Sequence, residues 1–154
     1  MKPEQDSSPL GEVGRGLPLG IRNNNPLNIR RVKGQHWQGE ALPQRGSGEG
    51  ASFVQFSSIE YGLRAAFCIL RTYSVKYHAV CIEDIITRWA PPTENDTRKY
   101  ICDLCRLTGF GGKERLTENE WPKLVQAMAR LESGTVLSDE VIQKGFRLYR
   151  KMKN

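Results

Sequence analysis

Hydrophobic positions are scattered without period through residues 1–19, a stretch rich in Gly, Pro, Ser and charge, which predicts a flexible tail. From Gly20 the character changes. Ile21 to Arg30 is too polar for a core strand and too rich in Asn and Pro for a helix. Trp37-Gln38-Gly39, a Gly/Ser-rich turn from Arg45 to Gly50 and the strand-like Phe53-Val54-Gln55-Phe56 make 30–56 a small irregular hairpin region. Beyond it a helical period takes over. Ile59, Leu63, Ala66, Phe67, Leu70 and Tyr73 recur at three and four, predicting a helix capped by Ser57 or Ser58 and running to about Val75. A second helix spans about Ile82 to Trp89 and stops before Pro91-Pro92. Thr93 or Asn95 opens a third, with Tyr100, Ile101, Leu104 and Leu107 inward, ended by Gly109. Thr117-x-x-Glu120 is a capping box with Pro122 in the first turn that follows. Leu124, Val125, Met128 and Leu131 then face one way until Ser133-Gly134. Ser138 caps a last helix carrying Val141, Ile142, Phe146 and Tyr149. The prediction is a mainly α domain over 20–154, a helical bundle with a small β-hairpin region.

The length of 154 residues suits one such domain with a short tail. No window approaches the roughly 18 consecutive apolar residues of a membrane span, and the N-terminus has no apolar signal core, so Sec export in its own right is not expected. The net charge of +6 permits an acidic partner without selecting one. Apart from the modest ending Arg147, Arg150, Lys151 and Lys153, the basic residues form no dense cluster, so nucleic acid is not the expected partner. Cys68, Cys81, Cys102 and Cys105 lack a second ligand pair, and His36 and His78 are not spaced to supply one. No metal and no cofactor is expected, and the thiols read as reduced small hydrophobes of a core.

Chemistry concentrates in three segments. Asn23-Asn24-Asn25-Pro26-Leu27-Asn28-Ile29-Arg30 offers uncharged donor–acceptor pairs suited to sugar hydroxyls and N-acetyl amides. Asn also braces turns and tolerates left-handed backbone, so single members of the set serve equally well as loop supports. Trp89-Ala90-Pro91-Pro92-Thr93-Glu94-Asn95-Asp96-Thr97, with Tyr100 one turn on, places two carboxylates on a rigid loop. Helix capping, with Glu94 at the positive end of the dipole, explains that segment too. In the third segment Glu132 ends an otherwise apolar helix, where the C-terminal dipole disfavours a negative charge. Facing a cleft, such a carboxyl group suits a glycosidic general acid, which must still carry its proton at neutral pH. Facing water, it is an ordinary glutamate of a fraying turn.

The run Gly20-Ile21-Arg22-Asn23-Asn24-Asn25-Pro26-Leu27-Asn28-Ile29-Arg30, with Trp37-x-Gly39, Phe53-x-x-Phe56 and Gly62-x-Arg64-Ala65, resembles a family of small phage-associated proteins often described as virion or structural proteins. Arg88-Trp89-Ala90-Pro91-Pro92-x-Glu94-Asn95-Asp96-Thr97-x-x-Tyr100-Ile101 continues the match, which spans about residues 20–134. Leu27 departs from the Gly expected there. A looser likeness is to lysozyme-like glucosaminidases and lytic transglycosylases, in which a helix ends in a catalytic Glu-Ser pair. Here Glu132-Ser133-Gly134 follows the Asn segment, hairpin and Tyr-bearing helix instead of preceding them, so the resemblance implies a circularly permuted order.

That resemblance implies a peptidoglycan glycan-strand cleaving enzyme (a muramidase, glucosaminidase or lytic transglycosylase) with Glu132 as general acid. Glu60 and Asp96 are candidates for a second acid or base. Asn23, Asn24, Asn25, Asn28, Arg30, Gln55, Glu94 and Tyr100 would hold sugar groups, and Trp37 or Trp89 would stack on a sugar face. It implies action in the periplasm or at the cell wall, reached by way of a phage tail, an injecting secretion apparatus or a holin, and an immunity protein as a further partner. The other expectation is a non-catalytic virion structural or cell-wall-binding module on the same fold.

Overall fold

The computed structural model describes residues 19–41 and 52–153. The predicted tail, apart from Leu19, and the Arg45–Gly50 turn lie outside them. The elements are α1 (Leu19–Arg22), β1 (Glu40–Ala41), β2 (Gln55–Phe56), α2 (Ile59–Tyr77), α3 (Ile82–Trp89), α4 (Thr97–Thr108), α5 (Trp121–Ser133) and α6 (Asp139–Lys153). The fold is therefore mainly helical with one small antiparallel pair, in the register Glu40↔Phe56 and Ala41↔Gln55. An isolated antiparallel bridge, Arg30↔Phe53, extends the pairing. No helix among the described residues is long and apolar enough to cross a membrane.

Helix α2 is the axis of the core. Ser58 caps it by accepting from the Tyr61 amide, and His78 closes it in the left-handed region at φ 56°. Leu63, Phe67 and Leu70 are buried, as are Ile142, Phe146 and Tyr149 of α6. The Phe67 and Phe146 ring centres lie 5.0 Å apart. Burying each such side chain contributes about 1.5–3 kcal/mol. Gly145 permits the close approach of α6, since a Cβ there would stand 2.6 Å from Leu63 Cβ. Gly62 does the same for the Asn-rich turn, whose Asn24 carbonyl oxygen would lie 2.1 Å from an added Cβ. Leu124, Val125, Met128 and Ala129 of α5 complete the core.

Several expectations need correction. The Asn-rich segment is not wholly irregular, because Leu19–Arg22 makes one helical turn that contacts α5. Helix α4 opens at neither Thr93 nor Asn95. Asp96 is its cap, accepting from Lys99 N at 3.1 Å, while Asn95 Nδ2 donates to Pro91 O at 3.0 Å. The Thr117–Glu120 capping box forms, but on a 3-10 turn (Glu118–Glu120) that leads into α5. Of the four thiols, Cys81 is buried, Cys68 and Cys105 are half-buried and Cys102 is exposed. The core reading therefore fits one of them fully, because α4 turns position 102 to solvent.

Candidate active site

Helix α5 carries its apolar stripe to its end. Val125 and Met128 are buried, and the next position of that spacing is Glu132, 5% exposed in the last turn. Gly134 then stops the helix in the left-handed region at φ 74°. Glu132 is thus an inward-facing carboxylate where the stripe would otherwise place a hydrophobe.

Two elements distant in sequence meet it. Asn28, itself left-handed at φ 54°, donates Nδ2 to Glu132 Oε1 and to the Glu132 carbonyl oxygen, each at 3.3 Å. From α4 the Tyr100 hydroxyl donates to Glu132 Oε2 at 2.9 Å. Burial, and after it the adjacent Glu132 charge and the hydrogen bond to it, push the Tyr100 phenol well above its ordinary range. At neutral pH Tyr100 is therefore a protonated donor aimed at the carboxylate.

The other asparagines hold the turn that delivers Asn28. Asn25 is fully buried; its Nδ2 donates to Ile29 O at 2.9 Å and Val54 O at 2.8 Å, and its Oδ1 accepts from Ile29 N at 2.9 Å. Asn24 Nδ2 donates to Phe56 O at 3.0 Å. The Asn23 carbonyl accepts from Phe56 N at 2.9 Å, and its buried Nδ2 has no hydrogen-bond partner among the described residues. These three residues tie the turn to β2 and to Val54 just before it. Asn28 alone of the four reaches the cleft.

That cleft has a volume of about 310 Å³, at the lower end of the range for small-ligand sites. Glu132 and Asn28 line it, together with Arg30, Trp37, Trp89 and Glu94. The Trp37 indole nitrogen is buried without a hydrogen-bond partner among the described residues. Trp89 meets Tyr73 edge to face, ring centres 6.5 Å apart. Besides Asn23, Asn24 and Asn25, four expected residues are not on the lining. Gln55 lies in β2, and Tyr100 reaches Glu132 without lining the cleft. Asp96 is committed to capping α4. Glu60, in the first turn of α2, faces a different groove with Lys144, Arg147 and Lys151 of α6. Neither of the candidate second carboxylates therefore lines the cleft, and among the described residues the other carboxylate on the lining is Glu94. Sequence reasoning missed Tyr73 and Ile69 of α2 and Asn95 as lining residues. Tyr73 lies on the inward stripe of α2, and nothing in that pattern separates a core position from a cleft wall. For Glu132 the signal was present in the Val125–Met128–Glu132 spacing.

No family model matches the chain. It is 40% identical over 140 residues to Protein P5 of Pseudoalteromonas phage PM2, a match covering 89% of this chain and 82% of that protein. With an identity of that size over nearly the whole of both sequences, the chain belongs to the family of this phage protein.

Proposed function

We propose that the protein cleaves the glycan strands of peptidoglycan, with Glu132 as the general acid, in a lysozyme-like domain whose elements run in circularly permuted order. One observation carries the reading: a buried carboxylate in a cleft with aromatic walls, held by an amide from the Asn turn and a phenol from α4. Membership in a phage protein family supports it, since a phage must breach a cell wall.

Protonated Glu132 gives its proton to the glycosidic oxygen as the C–O bond breaks, and positive charge develops at the anomeric carbon. Asn28, on Oε1, and Tyr100, on Oε2, fix the carboxyl group at the cleft wall. Trp37 and Trp89 offer apolar faces for sugar rings, and Asn28 and Asn95 offer amides for hydroxyl and N-acetyl groups. With Glu60 and Asp96 off the cleft lining, charge at the anomeric carbon is met by Glu94 on the cleft wall, by the substrate's own N-acetyl group or by closure of a 1,6-anhydro ring. The protein then acts at the cell wall, as part of a virion, tail or injecting apparatus, and an immunity protein is a partner for any host that carries it.

A second reading is a non-catalytic wall-binding or virion structural module. The 5% exposure of Glu132, with both oxygens engaged, favours it, because a structural brace has the same features. Glu132→Gln separates the two. General acid catalysis contributes about 10²–10⁴-fold, so the variant should release muropeptides at least about a hundredfold more slowly while still binding sacculi. Muropeptide masses then distinguish hydrolysis, which adds water, from transglycosylation, which does not. Wild-type protein that binds sacculi and releases nothing establishes the second reading.

A further inference from the structure

Among the described residues lining the cleft there is one cation, Arg30, against two carboxylates, Glu94 and Glu132. Its placement follows from the chain. Arg30 bridges Phe53 in extended pairing, and neighbouring side chains of an extended segment leave on opposite sides. Arg31 accordingly lies off the cleft lining and pairs with Glu40 at 2.8 Å. Arg30 remains on the wall. Its guanidinium carbon sits 5.3 Å from the centre of the Phe53 ring, and Phe53 is itself buried, so the cation rests on a fixed platform. The Arg30 side chain is exposed and has no carboxylate partner among the described residues. A planar fork of N–H donors held in this way matches a carboxylate in bidentate geometry. Without it the charged groups of the lining would be acidic alone and would repel an anionic strand.

We propose that Arg30 is a specificity-determining residue: it recognises a carboxylate carried by the bound strand, so that the cleft selects carboxylate-bearing glycan over a neutral N-acetylglucosamine polymer. This rests on the glycan-strand reading above, which does not itself say what the cleft selects for.

The test is binding of the full-length protein to purified sacculi, to the same sacculi with carboxylates amidated by carbodiimide and glycinamide, and to chitin. Amidation leaves phosphate groups charged, so it isolates the carboxylate. Wild type should bind native sacculi about tenfold more tightly than amidated sacculi or chitin, the size of one charge-assisted contact. Arg30→Gln should bind native sacculi only as well as amidated ones. Arg30→Lys, which keeps the charge but not the fork, should fall between, and thermal melts of both variants check that they are folded. Equal binding of native and amidated sacculi by wild type overturns the proposal. So does an Arg30→Gln protein that keeps the preference, which then belongs to basic residues elsewhere, such as Lys144 and Arg147 on α6. An Arg30-dependent preference without muropeptide release upholds it while the catalytic reading fails. Muropeptide release without the preference overturns it alone, and binding to none of the three polymers overturns both.

Discussion

Replacing Gly62 with alanine sets local propensity directly against tertiary packing. Gly62 lies in the first turns of α2, where alanine is favoured over glycine by about 1 kcal/mol. On that ground the substitution should stabilise. The fold argues the reverse. The new Cβ would stand 2.1 Å from the Asn24 carbonyl oxygen and 3.2 Å from Pro26 Cδ. Carbon contacts relax at about 3.5–4.0 Å, so the turn would have to retreat by more than about 1 Å. It is not free to do so. Asn24 is bonded to Phe56 O, and Asn25 to Ile29 O and Val54 O, so retreat stretches buried hydrogen bonds. Overpacking of this kind costs about 1–3 kcal/mol and each weakened bond about 0.5–1.5 kcal/mol. Against the propensity gain, a net loss of about 2 kcal/mol follows, or about 4–8 °C in melting temperature for a domain of this size. Urea titration followed by far-ultraviolet circular dichroism measures it, with Gly111→Ala as the control. Among the described residues a Cβ at Gly111 meets nothing nearer than 3.7 Å, so that change should stay within about 0.5 kcal/mol. A Gly62→Ala protein as stable as wild type, or more so, would falsify the packing of the Asn turn against α2.

Asn25→Ala removes the side chain that satisfies two buried carbonyls and a buried amide, and should cost about 3 kcal/mol or more, whereas Asn28→Ala should cost under about 1.5 kcal/mol; denaturant midpoints rank the two. Alkaline pH should destabilise the protein. The Tyr100 and Tyr149 phenols are raised on folding, chiefly by burial, so above pH ~10 the unfolded chain loses protons that the folded one keeps. Stability then falls by up to about 1.4 kcal/mol per pH unit for each phenol, present in full below that pH and lost above it. Urea midpoints measured across this range should show a shallower fall in Tyr100→Phe, and an unchanged slope refutes the assignment. A thiol reagent should label exposed Cys102 first and Cys81 last, because burial both shields the Cys81 sulfur and pushes its thiol upward.

Periodicity together with capping and stop signals placed the long helices. Three-and-four spacing, Ser58, the Pro91-Pro92 stop, Gly109 and Gly134 located α2 to α5 because these are local signals, each decided within a few residues of chain. The extra helical turn at Leu19–Arg22 was invisible for the opposite reason: contacts with α5, a hundred residues away, stabilise it, and its own composition does not. The choice of Asp96 over Thr93 or Asn95 as a cap likewise needed three dimensions. Asn95 is drawn back to Pro91 O, and Thr97 to Ala90 O, once the Pro-Pro loop is folded.

The site divides along the same line. Its residue types stood in the sequence: an amide-rich turn, a tyrosine on α4 and a glutamate on the apolar stripe of α5. Which asparagine meets the glutamate was not legible, because four amides of identical chemistry differ only in where the turn points them. The Asn24 and Asn25 amides bond to β2 and its approach, Asn23 joins β2 through its backbone carbonyl, and Asn28 reaches Glu132, 104 residues away. Nor did the sequence separate Glu94, on the cleft wall, from Glu60 and Asp96, which lie off it. Hydrophobic spacing and capping chemistry act over one or two turns and can be read along a line. The distance between two carboxylates depends on how helices pack, and only the assembled core sets it.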